Sequence, residues 1–170
     1  FPENKRWGYF PGISVGWRIS EESFMKNLTF INNLKIRASY GEMGNDSIPS
    51  YQYLATYNFS TSKGYVIGGT DVLGLVQSVT PNPNITWEVA KTINVGFDAS
   101  LLQGLLGIEF DIFKTKRSNI LTPRHVIIPD YTGLKLPNEN IGVVTNHGFE
   151  LLLTHRKNLN NELSYSLSGN

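Results

Sequence analysis

Glu109 and Asp111 stand two residues apart, so on a strand they share one face, as a pair of catalytic carboxylates could. Acidic side chains in an alternating segment also serve as charges facing water, and that is the reading adopted here. His147 and His155 share strand parity eight residues apart, roughly 26 Å along a strand, too far to bind one metal ion. With His125 they are read as loop or interface histidines, because no Gly-x-Ser-x-Gly nucleophile elbow accompanies them. Gly64-Tyr65-Val66-Ile67-Gly68-Gly69 lacks the Lys-Ser/Thr of a phosphate loop and reads as a turn. The chain has no cysteine, which excludes thiolate metal sites and disulfides. No catalytic residue, metal or cofactor is expected. Tyr51, Tyr53, Tyr57 and Tyr65 crowd one stretch between Asn45 and Gly69. A ring with a hydroxyl suits a sugar or peptide surface by stacking and hydrogen bonding. These four are the candidate substrate-binding residues; the alternative is that they pack the loops or meet a partner.

Period-2 alternation dominates the elements that must carry these groups. From Ile85 to Leu101 the odd positions are Ile, Trp, Val, Lys, Ile, Val, Phe, Ala and Leu, and the even ones are mostly small or polar. Beyond Gln103-Gly104, Leu106, Ile108, Phe110 and Ile112 oppose Gly107, Glu109 and Asp111. A two-residue turn at Gln103-Gly104 sets Val95 against Ile112, Phe97 against Phe110 and Ala99 against Ile108, so the apolar faces coincide; a slip by one would separate them. Trp7, Tyr9, Ile13, Val15, Trp17 and Ile19 share another face, as do Leu34, Ile36, Ala38 and Tyr40. Phe149, Leu151 and Leu153, and then Leu163, Tyr165 and Leu167, follow suit, with an odd-numbered loop expected around Asn158 to Asn160. That makes six strands, and the stretch from Tyr51 to Phe59 allows a seventh. One short helix is expected after Ser20-Glu21-Glu22-Ser23, with Ser20 as its cap.

The connections alternate. Gln103-Gly104 and the Asn158 region are tight, whereas residues 45–84 and 122–145 are long and rich in Gly, Pro, Asn, Ser and Tyr. Short turns at one rim and long loops at the other are the layout of outer-membrane barrels. Net charge is +1, from 15 Lys+Arg against 14 Asp+Glu, which gives no electrostatic case for nucleic acid. Strands beyond the usual length, and apolar faces of roughly ten residues that end at Lys91, Lys114 and Lys116, match a hydrocarbon crossing. On the other face Asp98 would sit opposite Glu109, an arrangement a watered lumen screens and a core does not. Trp7, Tyr9, Trp17, Tyr40 and Trp87 are placed where aromatic girdles form. A soluble β-sandwich binding module of a bacterial cell-surface protein remains the alternative.

Arg6-Trp7-Gly8-Tyr9-Phe10-Pro11 and Ser14-Val15-Gly16-Trp17-Arg18-Ile19-Ser20-Glu21-Glu22 resemble the SusC/RagA family of TonB-dependent outer-membrane transporters. So do Leu34-Lys35-Ile36-Arg37-Ala38-Ser39-Tyr40-Gly41 with Gly44-Asn45, and Asn82-Pro83-Asn84-Ile85-Thr86-Trp87-Glu88 with Asn94-Val95-Gly96-Phe97-Asp98. Asn140-Ile141-Gly142-Val143-Val144-Thr145-Asn146-His147-Gly148-Phe149-Glu150 completes the set in family order. The resemblance implies an all-β, antiparallel up-and-down meander, part of a transmembrane barrel of about 22 strands plugged by a separate domain. It implies a Bacteroidetes-type importer of glycans or peptides, lidded by a SusD-like surface lipoprotein and driven by TonB, in outer-membrane lipid. Residues 1–170 would be a segment of the barrel wall with neither plug nor complete barrel, unable to transport alone. Arg18, Lys35, Arg37, Asp98, Glu109, Asp111 and Glu150 would face the lumen.

Overall fold

The computed structural model describes residues 1–77, 80–124, 136–160 and 162–170. His125 and the segment around it lie outside the described residues. The strands are β1 (Gly12–Arg18), β2 (Ile31–Asn45), β3 (Tyr57–Ile67), β4 (Thr70–Gln77), β5 (Glu88–Leu101), β6 (Leu106–Pro123), β7 (Asn138–Asn158) and β8 (Ser164–Gly169). Six of them form one sheet in the order β1-β2-β5-β6-β7-β8, and β3-β4 form a separate hairpin. The order follows the sequence apart from that hairpin, as in an antiparallel meander. The chain divides into two compact units: Phe1–Tyr9, Gly44–Val89 and Arg117–Val143, and then Phe10–Met43, Ala90–Lys116 and Val144–Asn170.

In the second unit the apolar residues meet across the strands as alternation requires. Ile13 pairs with Tyr40, Val15 with Ala38 and Trp17 with Ile36. Thr92 and Thr115 hydroxyls lie 3.0 Å apart, and Phe97 and Phe110 rings are in contact at 5.7 Å, which fixes the β5–β6 register expected from sequence. The turn itself spans four residues, because Leu102, Gln103 and Gly104 all adopt left-handed backbone (φ 54, 58 and 85). Gly takes such a conformation freely, but Leu and Gln pay a steric cost. External contacts offset it: Leu102 N–H donates to Phe30 O at 2.8 Å and Gln103 N–H to Asn32 Oδ1 at 2.6 Å. Arg156 N–H donates to Leu105 O, so the 19–30, 102–105 and 159–163 connections lie at one end of this unit. The last is a five-residue loop, odd as expected, with Asn160 Oδ1 accepting from the Glu162 and Leu163 amides.

Residues 19–30 depart from the expected capped helix. Ile19–Glu21 form a single 3-10 turn whose N-cap is Arg18 with no side-chain bond, and the Ser20 hydroxyl is buried without a partner. Successive bonds from Glu22, Met25, Leu28 and Ile31 N–H to the carbonyl three residues back carry the chain onward as linked turns. Three-residue steps with no apolar stripe do not propagate an α-helix.

The first unit holds what sequence reading missed. β3-β4 turns through Gly68-Gly69 (φ 59 and 81), a glycine pair suited to a two-residue hairpin. Gly64 to Ile67, read as turn, are strand. Ser60 pairs with Gly74 but Tyr65 with Val72, so residues 61–64 face the single residue 73, and this bulge hides the alternation. Residues 85–87, expected as the start of a strand, instead belong to the loop 82–87 that precedes β5, where Ile85 is fully buried and Asn82 is 7% exposed. Trp7 and Tyr9, also expected in a strand, precede β1 and are exposed.

Candidate functional site

The polar face of the second unit is built around Arg37. Its Nε lies 3.0 Å from Asp98 Oδ1 and its Nη2 2.6 Å from Asp111 Oδ2. Arg37 is on β2, Asp98 on β5 and Asp111 on β6, so one guanidinium spans three strands. The planar fork suits this, since its donors point in fixed, divergent directions. Gly96 makes room for it: a Cβ there would collide with the Asp111 carboxylate and the Phe110 carbonyl. The second Asp111 oxygen is buried with no hydrogen-bond partner. Lys35 lies across Gly16 in the same way, its Cε 3.1 Å from where a Cβ would stand. Ser14, Gly16, Lys35, Arg37, Ser39 and Asn94 line a shallow polar groove here. Sequence reading put Arg37, Asp98, Glu109 and Asp111 on one face but set Asp98 against Glu109. The β5–β6 register keeps that opposition, and the structure adds a cation shared by Asp98 and Asp111. The long β2–β5 connection hides which β2 residue meets Asp98, so that register cannot be read from sequence.

The opposite face is apolar and uncovered. Ile13 (67%), Val95 (48%), Ile112 (55%) and Phe149 (72%) are exposed rather than sealed against a second layer, which a sandwich would require. Polar groups sit at the margins of this face. Lys91 Nζ donates to Glu42 Oε1 at 2.8 Å, and the Tyr40 hydroxyl donates to the same oxygen. Trp17 Nε1 donates to Glu22 Oε1 at 2.9 Å beside the 3-10 turn. Among the aromatics expected in girdles, Trp87 has a different place. It lies in the first unit, stacked on Phe1 at 5.1 Å and donating to Lys5 O.

Long strands with one wet and one uncovered apolar face, joined by short turns, are the attributes of a membrane barrel wall. The sequence profile of the TonB dependent receptor-like, beta-barrel family matches residues 1–170. The chain belongs to this family. It is similar to TonB-dependent receptor P3 of Formosa agariphila, 33% identical over all of this chain and 16% of the relative. TonB-dependent receptor SusC of Bacteroides thetaiotaomicron is 28% identical over all of this chain and 17% of its own length. The barrel segment also matches the structure of the RagAB peptide transporter in fold, with TM-score 0.80 and 24% identity over 99% of this chain and 18% of that one. The chain therefore spans about a sixth of the length of the curated relatives it matches.

Two motifs of this TonB-dependent receptor barrel acquire physical content in the first unit. Asn140 Oδ1 accepts from Thr86 N–H at 3.0 Å, and its Nδ2 donates to Thr86 O and Asn119 O at 2.9 and 2.8 Å. One side-chain amide thus stands in for a strand partner of Thr86. It also satisfies the carbonyl of Asn119, a residue with left-handed backbone (φ 59) within β6. Asn82 Oδ1 accepts from Asn84 N–H and its Nδ2 donates to Asn138 O.

The four candidate tyrosines also lie in the first unit. Tyr51 (φ 62) is on a turn beside a cleft of about 420 Å³ that includes Pro49, Gln52, Leu54, Leu136 and Pro137. Tyr53 is half-buried and does not line it. Tyr57 and Tyr65 are exposed on β3, but the bulge between them matters. Tyr57 pairs with Gln77 and Tyr65 with Val72, positions of opposite parity on β4. The two rings are therefore presented on opposite faces of the hairpin, and the four do not form one cluster.

Proposed function

We propose that this chain is a wall segment of an outer-membrane, TonB-dependent importer for large nutrients such as glycans or peptides. The observation that carries the reading is the pair of faces in the second unit: a bridged, charged face toward a wet lumen and an uncovered apolar face toward lipid. Membership of a TonB-dependent receptor family and likeness to a peptide transporter support it. The full-length protein would work with TonB and with a SusD-like surface lipoprotein. Tyr51, Tyr53, Tyr57 and Tyr65 would meet glycan or peptide from the long connections, each as a separate contact rather than as one pocket.

The test uses the full-length protein in its own bacterium. It should fractionate with the outer membrane, and its deletion should abolish growth on at least one polysaccharide or peptide mixture that the parent strain uses, with restoration by the intact gene. A soluble protein, or a deletion strain that grows like its parent on every such substrate, would sink the proposal. Y57A and Y65A, made singly, should each weaken binding of that nutrient about 3- to 30-fold if their rings stack on it. Unchanged affinity in both would remove these tyrosines from the contact surface.

A further inference from the structure

We infer that the cleft beside Tyr51 is a side-chain pocket for peptide cargo, taking one uncharged aliphatic residue of the peptide among Pro49, Leu54, Leu136 and Pro137. The inference rests on the importer reading and deepens it, because it selects peptide over glycan at this site. The cleft lies wholly within the first unit and measures about 420 Å³, within the range of small-ligand sites. Of the four candidate tyrosines only Tyr51 lines it.

The cleft is held open by its own hydrogen bonds. Asn82, buried nearby, ties together the two segments that line it. Its backbone N–H donates to Gln52 O at 2.8 Å, and its Nδ2 donates to Asn138 O at 2.7 Å. Gln52 and Asn138 both line the cleft, so one buried residue sets the spacing between the segments. Pro49 and Pro137, one on each segment, have φ fixed by their rings. Asn138 opens β7, and the other segment leaves β2 through a turn in which Asn45 Oδ1 accepts from Ser47 N–H at 3.0 Å. A site shaped before cargo arrives has less disorder to lose on binding. Tyr51 is an independent sign. Its backbone is left-handed (φ 62), which is costly for a residue with a Cβ, and Leu54 N–H donates to its carbonyl at 2.9 Å. Strain of this kind gathers at ligand clamps, and here it presents an exposed ring to the cleft.

The lining chooses the occupant. Among the described residues no Asp, Glu, Lys, Arg or His lines the cleft, so nothing there would balance a charged side chain. The two prolines and two leucines offer no side-chain donor or acceptor. A sugar ring carries hydroxyls around its edge, and those set against these four residues would lose water without gaining partners. An aliphatic side chain loses nothing there, while the amides of Gln52 and Asn138 match the N–H and C=O of the peptide backbone.

The experiment uses the purified full-length protein and a random octapeptide library, with retained peptides separated by gel filtration and sequenced by mass spectrometry. Peptides held by the wild type should be enriched at least about fivefold in Leu, Ile, Val or Pro at one position, with charged residues depleted there. Leu54 is 47% exposed, so a charge in its place is compatible with folding. L54K should turn the preference at that position toward Asp and Glu, and L54D toward Lys and Arg, a reversal that general damage to the loop does not produce. K63Q on the β3-β4 hairpin should leave the preference as it is. Retained peptides with no preferred residue overturn the pocket, as does a preference that L54K and L54D leave unchanged. If L54K spares the peptide preference and weakens binding of the SusD-like lipoprotein, the cleft belongs to that partner and the peptide pocket is overturned. Retention of no library peptide also overturns it. In that case a deletion strain that still loses growth on a nutrient leaves the importer reading standing, and one that grows like its parent removes that reading too.

Discussion

Arg37 is a single cation between two carboxylates, and its worth lies in what would follow its removal. Asp98 and Asp111 would then share one neighbourhood, with one Asp111 oxygen already lacking a partner. Partial exposure of all three side chains moderates the cost, which is expected at about 1–3 kcal/mol for R37M. Thermal unfolding of the full-length protein in detergent should show a lower midpoint, and adding D98N and D111N to R37M should recover most of the loss. A triple variant no more stable than R37M alone would show that charge repulsion is not the cause. Gly96 belongs to the same construction. G96A pushes a methyl group into the Asp111 carboxylate and the Phe110 carbonyl, and because the latter is backbone the strand must shift. Overpacking of this sort costs about 1–3 kcal/mol. A midpoint within error of wild type would mean that β5 and β6 yield more easily than this geometry implies.

At the scale of elements, side-chain amides do work that strand pairing usually does. Asn140 takes both backbone groups of Thr86 and the Asn119 carbonyl. N140L should leave all three without those partners, costing about 1–3 kcal/mol locally. Hydrogen exchange at the Thr86 amide is expected to quicken about tenfold or more, while amides of β1 keep their protection. Unchanged exchange at Thr86 would show that water or another group replaces Asn140 at no cost. These elements also show what could be read from sequence. β5 and β6 were legible because a tight turn couples two clean alternations, and parity then admits one register. The β3-β4 hairpin was not, since its four-against-one bulge breaks the period and Gly64 resembled a turn residue. Residues 85–87 were mistaken for strand because Ile85 and Trp87 keep the right parity. Their burial comes from packing in the first unit, which alternation does not encode. The Arg37 bridge was half legible: its face followed from parity, and its partners depended on a register set across a 42-residue connection, 46–87.

For the molecule as a whole, the question is which solvent each face meets, and two adjacent residues can answer it. Phe110 and Glu109 are neighbours on β6, so they share backbone environment, depth and strand register. They differ in the face they occupy. If the apolar face meets lipid, F110R places a cation near the middle of the band, a change worth about 2–4 kcal/mol against insertion. It also removes the ring that contacts both Phe97 and Phe149. E109R changes charge by more, yet it should be tolerated, since its side chain stays in water that screens it. The readout is the amount of full-length protein in the outer membrane that migrates as a folded, heat-modifiable barrel. F110L separates the two contributions, because it loses the ring contacts without adding charge, and it should assemble far better than F110R. The ordering expected is wild type and E109R near parity, F110L slightly below and F110R well below. Equal defects in E109R and F110R would mean that both faces are packed against protein. Normal assembly of F110R would mean that this face meets water. In both of those cases the lipid-facing assignment of β5, β6 and β7 falls, and the importer reading loses the observation on which it stands.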